Sequence, residues 1–267
     1  MKRLRTLLVG GVALALVYLA ALFVLSWALE GVVERRVNRQ LAYTLRANDI
    51  SVDSVDVSLI RGRVAVRGVK AKRTGLGTAT LTMNVIEIDI APMGWALIAQ
   101  EPSRLEVVGA HLDLSAAGAV TLQSSEVVRQ LSVERFIMRD SRVTLAVTSL
   151  FPGLGRAELT IDEARASDVE LHNAMSWLYK TETLNAGLHL PGSVELIVAY
   201  ADKTLSVGGS LMGSKPIVIP FSWPNPDPTK LELSQILSLA RHLIKTLAPE
   251  LAKRKVKGVW DEVVDAF

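Results

Sequence analysis

Three aspartates close together are the first candidates for a metal site in this chain. Asp49, Asp53 and Asp56 lie within one short stretch. A calcium loop of the EF-hand type needs acidic side chains at alternate positions, a central glycine and a glutamate at the twelfth position. That arrangement is absent, and valine and isoleucine fill the gaps. The sequence therefore predicts no bound metal and no cofactor, and it places the aspartates on the polar side of strands.

The other residues that could do chemistry form no catalytic motif. No two of the four histidines have the i, i+4 spacing of a zinc-binding helix, and the chain has no cysteine. The segment "GGSLMGSKP" (Gly208–Pro216) lacks the Gly-Lys-Ser/Thr order of a phosphate loop, and Pro216 prevents the helix that such a loop needs. No G-x-S-x-G nucleophile elbow occurs. We therefore predict that the protein is not an enzyme.

The composition favours strands and argues against nucleic-acid binding. The 267 residues suffice for one large domain or two small ones, and 49% of them are apolar. Aromatic residues make up only 5%, so a core must consist mostly of aliphatic side chains, many of which favour strands. The net charge is only +3, and the short run "KRKVK" (Lys253–Lys257) is the one dense basic segment. Nucleic acid is therefore not an expected partner.

An uncharged segment near the N-terminus predicts a membrane anchor. Residues Thr6–Leu29 carry no charge, and as a helix they would be about 36 Å long, enough to cross a hydrocarbon core of roughly 30 Å. A signal peptide is the alternative, but its apolar region is usually shorter. The basic residues of segment 1–5 predict a cytoplasmic N-terminus. We expect a single-pass protein of the bacterial inner membrane, with most of the chain in the periplasm.

A short helix is predicted directly after the anchor, in residues 30–47. Val33, Val37, Leu41 and Leu45 recur at every fourth position, which places them on one helical face. This amphipathic helix would connect the membrane span to the rest of the chain.

A repeated spacing of apolar residues indicates a β-sheet over residues 48–222. Offsets of two, three and two cover no single face of a helix, but they fit a strand whose alternation is reset by one extra residue. Gly68 and Gly109 lie where the alternation changes phase. An ordinary twisted sheet with bulges would explain the spacing, and so would a long curved sheet with a continuous apolar concave side. The spacing occurs at Ile50, Val52, Val55 and Val57; Val64, Val66, Val69 and Ala71; Leu81, Met83, Ile86 and Ile88; Leu105, Val107, Ala110 and Leu112; Leu131, Val133, Phe136 and Met138; and Leu159, Ile161, Ala164 and Ala166.

The fold class that follows is mainly β, with ten to twelve strands after the transmembrane helix. The strands are expected to form a curved antiparallel sheet with the shape of a groove. Residues 223–267 begin with a proline-rich break and continue as two amphipathic helices, which Pro249 separates. These helices could cover a sheet edge, close the groove or lie on a membrane surface.

A set of aliphatic residues at the repeated positions is predicted to face the inside of the groove and to contact lipid. The set is Val52, Val55, Val57, Val64, Val66, Leu105, Val107, Leu112, Leu131, Val133, Leu159 and Ile161.

The first two thirds of the chain are similar to the N-terminal part of the AsmA-like family, which includes TamB and the DUF748-type proteins. The similarity lies in "ISVDSVDVSLIRGRVAVRGVKAK", in "LTMNVIEIDIAPMGWALIAQEPSRLEVVGAHLDLS" (Leu81–Ser115) and in "LSVERFIMRDSRVTL" (Leu131–Leu145). The resemblance implies a periplasmic β-groove anchored in the inner membrane. Larger family members are implicated in outer-membrane biogenesis and in moving phospholipids across the envelope.

Three functions are compatible with these features. The first is binding of acyl chains, such as those of phospholipid, in support of lipid transport or outer-membrane biogenesis. The second is a structural or assembly subunit of an envelope machine, such as a secretion system, whose sheet is filled by its own side chains. The third is a membrane-anchored β-jellyroll of lipopolysaccharide transport, although such proteins are usually smaller. A groove of ten to twelve strands is only about 50–60 Å long, so we expect self-assembly, a protein partner or a role that does not bridge two membranes.

Overall fold

The structure is a computed structural model, and nine stretches of the chain are described. They are residues 2–74, 77–93, 102–115, 132–146, 155–170, 174–190, 194–210, 212–224 and 233–253.

One long helix, α1 (Lys2–Thr44), opens the chain. The sequence pattern separates a span at 6–29 from a second helix at 30–47, but the structure joins them without a break. Its segment from Leu14 to Tyr43 is long and apolar enough to cross a membrane. The helix ends where Arg46 takes a left-handed backbone conformation, with a φ of 51°.

Within the part of the chain that the structure describes, eleven strands form one open, curved sheet. The strands are β1 (Asp49–Ser51), β2 (Ser54–Ser58), β3 (Arg63–Arg73), β4 (Ala79–Asp89), β5 (Arg104–Ser115), β6 (Ser132–Ala146), β7 (Arg156–Glu170), β8 (Thr181–Leu190), β9 (Val194–Ala201), β10 (Thr204–Gly209) and β11 (Gly213–Pro220). They follow chain order across the sheet, except that β1 and β2 both pair with the same side of β3. The predicted fold class is therefore confirmed.

The pairing of β5 with β6 departs from the antiparallel prediction. These two strands are parallel, with Leu105 opposite Phe136 and Leu112 opposite Val143. A parallel pair needs a connection that brings the chain back along the strand. That connection belongs to residues 116–131, which lie outside the described residues.

A row of residues that runs across the first seven strands resets the alternation of side chains between the two faces of the sheet. Each residue of the row is one extra residue in the alternation. Gly68, Gly109 and Asp140 in this row have positive φ values of 62°, 65° and 48°. A Cβ atom on Gly68 would lie 1.9 Å from Oδ2 of Asp53, because that side chain occupies the space above the glycine. The whole row is Asp53, Gly68, Asn84, Gly109, Asp140 and Asp162, and we call it the reset row.

The reset row ends at β8. The register between β7 and β8 shifts between Ile161 and Glu163, which marks the last extra residue. On β8, Leu184, Ala186 and Leu188 alternate without interruption. The sheet thus has a reset half, β1–β7, and a regular half, β8–β11.

The fifth predicted unit, Leu131–Met138, falls on a different reset. In β6 the residues aligned with the other units are Phe136, Met138, Ser141 and Val143. The three-residue step from Val133 to Phe136 belongs to a second interruption, beside Asp168 with its φ of 52°. The two interruptions lie in β6 and β7, which are the longest of the described strands at 15 residues each.

Two further helices pack against the sheet in the described part of the chain. Helix α2 (Ala174–Tyr179) contributes Trp177, which packs on Phe136 with 4.2 Å between ring centroids. Helix α3 (Leu233–Lys253) packs Leu243 and Leu247 against β9–β11. The predicted interruption at Pro249 is wrong, because the helix continues through this residue and ends four residues later, at Lys253. The second predicted C-terminal helix lies outside the described residues.

Candidate functional site: an open apolar face

Apolar side chains form continuous rows on one side of the sheet, which we call the apolar face. The row that crosses most of the sheet begins with Val55 opposite Val66 and Val66 opposite Ile86. Paired neighbours in a sheet project their side chains to the same side, so a row of partners defines one face. The row continues through Val107, Met138, Ala164, Leu184, Tyr200, Leu205 and Ile219.

Strict alternation along each strand would have turned the apolar residues beyond the reset row to the opposite side of the sheet. Because β3–β7 each carry an extra residue at the reset row, and Asp53 takes this place between β1 and β2, the rows on either side of it project to the same face. Val66 and Val69 of β3 are both buried, with Arg67 and Gly68 between them. The reset row therefore keeps the apolar face apolar along the whole strand.

Ten of the twelve predicted lipid-facing residues lie on this face. Leu131 lies outside the described residues, and Val52 lies in the short gap between β1 and β2. The ten are Val55, Val57, Val64, Val66, Leu105, Val107, Leu112, Val133, Leu159 and Ile161.

The middle of the apolar face is only partly covered. All four face residues of β4 on the repeated spacing, from Leu81 to Ile88, are half-buried. Leu112 of β5 and Val143 of β6 are half-buried too, and Leu159 of β7 is 37% exposed. Aliphatic side chains in a filled core are almost fully buried, so these positions leave apolar surface uncovered.

The end of the face at β9–β11 is filled. Leu205, Val207 and Ile217 are at most 5% exposed, and Tyr200 is 6% exposed. Leu243 and Leu247 of α3 cover them. The sequence predicts these strands from their alternation, and covering of the sheet is one of the three arrangements it leaves open for the C-terminal helices. The choice of β9–β11 as the strands that α3 covers has no signal in the sequence.

Aromatic rings close the same end. Tyr200 lies 5.4 Å from Trp223 and 6.4 Å from Phe221 between ring centroids, and Phe221 lies 5.2 Å from His242 of α3. Burial raises the pKa of the Tyr200 hydroxyl, because the charged form would lose its hydration.

The opposite side of the sheet, the polar face, carries a ladder of ion pairs. Glu106, whose side chain is 8% exposed, pairs with both Arg104 and Arg139, and Arg139 also lies 3.3 Å from Glu163. Arg165 hydrogen-bonds Glu163 at 2.7 Å. This bond, with the one from Arg139, lowers the pKa of the Glu163 carboxyl.

The charged residues near the start of the sheet join this pattern. Arg63 pairs with Glu87, and that hydrogen bond raises the pKa of the guanidinium. Asp53 lies over Gly68, and Arg67 lies opposite Val85 on the outer side. Among the described residues, no three histidine, aspartate or glutamate side chains are placed to hold a metal ion. Arg63 and Glu87 are therefore structural partners.

A small cavity of about 230 Å³ lies on the polar face, at the end of the sheet that holds Thr78 and Ser115. Its walls include Thr80, Asp113, Thr144 and Arg156. Hydroxyl and charged groups suit water or a small polar molecule, so this cavity does not match an acyl chain.

No family model matches this chain, and no curated protein matches it at a significant level. The geometry of the apolar face therefore has to carry any functional proposal.

Proposed function

We propose that this protein is anchored in the bacterial inner membrane by α1, and that its periplasmic apolar face binds lipid acyl chains. In this role it supports phospholipid transport or outer-membrane biogenesis, as the resemblance to the AsmA-like family implies. The single observation that carries the proposal is the uncovered middle of the apolar face, from Leu81 across Leu112 to Leu159.

The energetics favour an acyl chain as the occupant. Removing apolar surface from water is worth about 25 cal/mol per Å², or roughly 0.8 kcal/mol for each buried methylene. The partly exposed side chains are aliphatic and lie in adjacent rows, so they offer a continuous surface to a flexible chain. A protein partner would need polar groups around this surface, whereas a hydrocarbon chain needs none.

The width of the sheet limits the role to short distances. Because β1 and β2 share one side of β3, the eleven strands occupy ten positions, and nine spacings of about 4.8 Å give roughly 43 Å. This is close to the thickness of one bilayer including its headgroups. A role that does not bridge two membranes, or a partner that extends the groove, fits this width.

The last strand opposes extension by a second copy. Phe221 donates its N–H to Lys203, so odd-numbered residues of β11 direct their N–H groups toward β10. Pro216 and Pro220 are even-numbered, and proline has no N–H to offer an added strand. This edge favours a protein partner of another kind over edge-to-edge self-assembly.

A second function is an assembly subunit of an envelope machine with a filled, non-lipid-binding sheet. The filled end beneath α3 favours it, because there the chain covers its own apolar face. The two functions differ in what covers Leu81, Leu112 and Leu159.

Lipid bound to gently extracted protein separates the two. We expect native mass spectrometry of the full chain to detect bound phospholipid. Leu112→Glu, which places a charge on the apolar face, should abolish it. His111→Glu is the matched control, because it places the same charge on the polar face of the same strand. Absence of lipid from the wild type, or equal loss in both variants, would refute acyl-chain binding.

A further inference from the structure

The sheet touches α1 inside the uncharged run that is expected to span the membrane. The Tyr18 hydroxyl donates a hydrogen bond to the Met93 carbonyl oxygen at 2.5 Å. The Leu59 N–H donates to Oγ of Ser26 at 3.0 Å, and that hydroxyl donates to the Leu22 carbonyl oxygen at 2.7 Å. Leu22 and Ser26 are 4% and 6% exposed, so the contact is close.

The residues of the sheet in this contact belong to one end of it, which we call the near end. It comprises the turn between β2 and β3 (59–62) and the turn after β4 (90–93). Backbone hydrogen bonds join the two turns, from Ile90 to Gly62 at 2.8 Å and from Met93 to Ile60 at 3.3 Å. The near end is therefore a single rigid unit that docks on α1.

The position of the contact along α1 sets its depth. The uncharged run ends at Leu29, so at 1.5 Å per residue Ser26 lies about 5 Å and Tyr18 about 16 Å inside that end. Beyond Ser26 the helix runs along β2 toward β1, and Leu45 at its end accepts a bond from Arg73. The sheet thus rises from the membrane along the outer part of α1.

Backbone groups at this depth need protein partners, because hydrocarbon supplies none. The Leu59 N–H and the Met93 carbonyl oxygen both receive one, from side chains of α1. The side chain beside this contact is apolar and accessible, since Met93 is 40% exposed. Arg61 is exposed beside the turn, where a long side chain can extend to a lipid phosphate.

We propose that the near end of the sheet is inserted into the outer leaflet of the membrane that α1 spans, with Tyr18 and Ser26 holding it there. The occupant of this surface is the acyl region of that leaflet. The inference rests on the membrane anchoring in the proposed function, but not on lipid binding by the apolar face. Its consequence is that the row nearest the turns, with the half-buried Val64 and Ile88, begins at hydrocarbon depth, so a lipid chain can reach the apolar face without crossing water.

Depth measurements on the full chain test this insertion. The chain has no native cysteine, so single cysteines can be introduced and labelled with a fluorophore. The membrane is a vesicle of phosphatidylethanolamine and phosphatidylglycerol with a trace of phosphatidylcholine carrying a nitroxide on its acyl chain. For each labelled position, we measure quenching of the fluorophore by the lipid nitroxide and by aqueous iodide. Met93→Cys probes the near end, Thr78→Cys probes the opposite end of the sheet, and Phe23→Cys, at a position 70% exposed, probes the span itself.

Insertion predicts that the ratio of nitroxide to iodide quenching is about tenfold higher at residue 93 than at residue 78, as expected for a site inside hydrocarbon. Residue 23 should resemble residue 93. If residue 23 is quenched by nitroxide and residue 93 by iodide, the anchor stands and the insertion is refuted. If residue 23 is also quenched by iodide, both the anchor and the insertion are refuted.

Substitution of Tyr18 and Ser26 provides a second test of the insertion. Tyr18→Phe combined with Ser26→Ala removes both hydrogen bonds while keeping the span apolar. We expect the nitroxide-to-iodide ratio at residue 93 to fall at least about threefold, with residue 23 unchanged, because the unpartnered backbone groups favour water. An unchanged ratio at residue 93 would refute the role of these two residues in holding the near end.

Discussion

The reset half and the regular half of the sheet continue one apolar face, but they cover it differently. In β4–β7 the face residues are mostly half-buried, and Leu159 is 37% exposed. In β10–β11 Leu205 and Ile217 are at most 2% exposed, beneath α3. The difference follows what covers the surface. The face is buried beneath α3 and, around Phe136, beside Trp177 of α2, and it is partly exposed between these two places.

The polar faces of the two halves differ in the same sense. The reset half ties its strands together on this side with the Arg104–Glu106–Arg139–Glu163 ladder. In the regular half, His189 and Glu195 lie 3.4 Å apart, and both are about half exposed. Where the apolar face is open, the polar face thus carries more ion pairs between strands, among the residues that the structure describes.

Truncation of a buried face residue should produce the largest contrast. Leu205→Ala removes a side chain that is 1% exposed and should lower the free energy of unfolding by about 3 kcal/mol. Leu159→Ala removes one that is 37% exposed and should cost about 1 kcal/mol. Urea unfolding of the full chain in detergent, followed by tryptophan fluorescence, measures both. Equal losses would mean that the two halves are covered alike.

Adding a side chain at a glycine of the reset row should cause the next largest loss of stability. Gly68→Ala forces a left-handed φ of 62° on alanine and places its Cβ on Asp53, so we expect a loss of about 2 kcal/mol. Gly208→Ala in the regular half is the matched control. Gly208 has no left-handed φ, and the nearest atom to its Cβ would be 3.6 Å away, so stability should stay within about 0.5 kcal/mol of wild type. The same urea titration decides, and a neutral Gly68→Ala would contradict the role assigned to the row.

The ion-pair ladder should contribute less. Glu106→Gln leaves Arg104 and Arg139 without their shared carboxylate, and we expect a loss of about 1.5 kcal/mol. Glu195→Gln, at an exposed pair, should change stability by less than about 0.5 kcal/mol. Thermal unfolding of both variants, at low and at high salt, measures the difference. A larger loss in Glu195→Gln would reverse the comparison.

Glu163 in the reset half and Tyr200 in the regular half should make the stability depend on pH in opposite directions. The pKa of Glu163 is lowered below its ordinary value of 4.5, so its stabilising contribution is present above that pH and is lost as the pH falls through the lowered pKa. The pKa of Tyr200 is raised above 10.0, so stability is retained below that pH and is lost as the pH rises through the raised pKa. Glu163→Gln should flatten the acid limb of a melting-temperature profile, and Tyr200→Phe the alkaline limb. Each variant should leave the other limb unchanged.

Much of the reset half could be predicted from its local pattern. A two-three-two spacing has no helical solution, and glycine at the phase change predicts the left-handed conformation found at Gly68 and Gly109. Asp140 takes the same conformation without a glycine to signal it, since a short polar side chain also tolerates it.

The remaining features depend on contacts between distant segments. Strand periodicity does not specify a partner, so the parallel pairing of β5 and β6 was not predictable. The docking of α3 on Leu205 and Ile217 joins residues far apart in sequence, and the amphipathic stripe of the helix fits several surfaces equally. The contact of Ser26 with Leu59 was not predictable either. A serine within an apolar run looks like an ordinary residue of a membrane helix.

Photo-crosslinking from two positions on the apolar face tests its division into an open and a filled part most directly. A diazirine-bearing aliphatic amino acid replaces Leu112 in one protein and Ile217 in another, and both are irradiated in native membranes. Position 112 should yield phospholipid adducts, and position 217 should yield crosslinks to α3 near Leu243 and Leu247. Lipid adducts of equal yield at both positions, or protein crosslinks alone at position 112, would contradict the account.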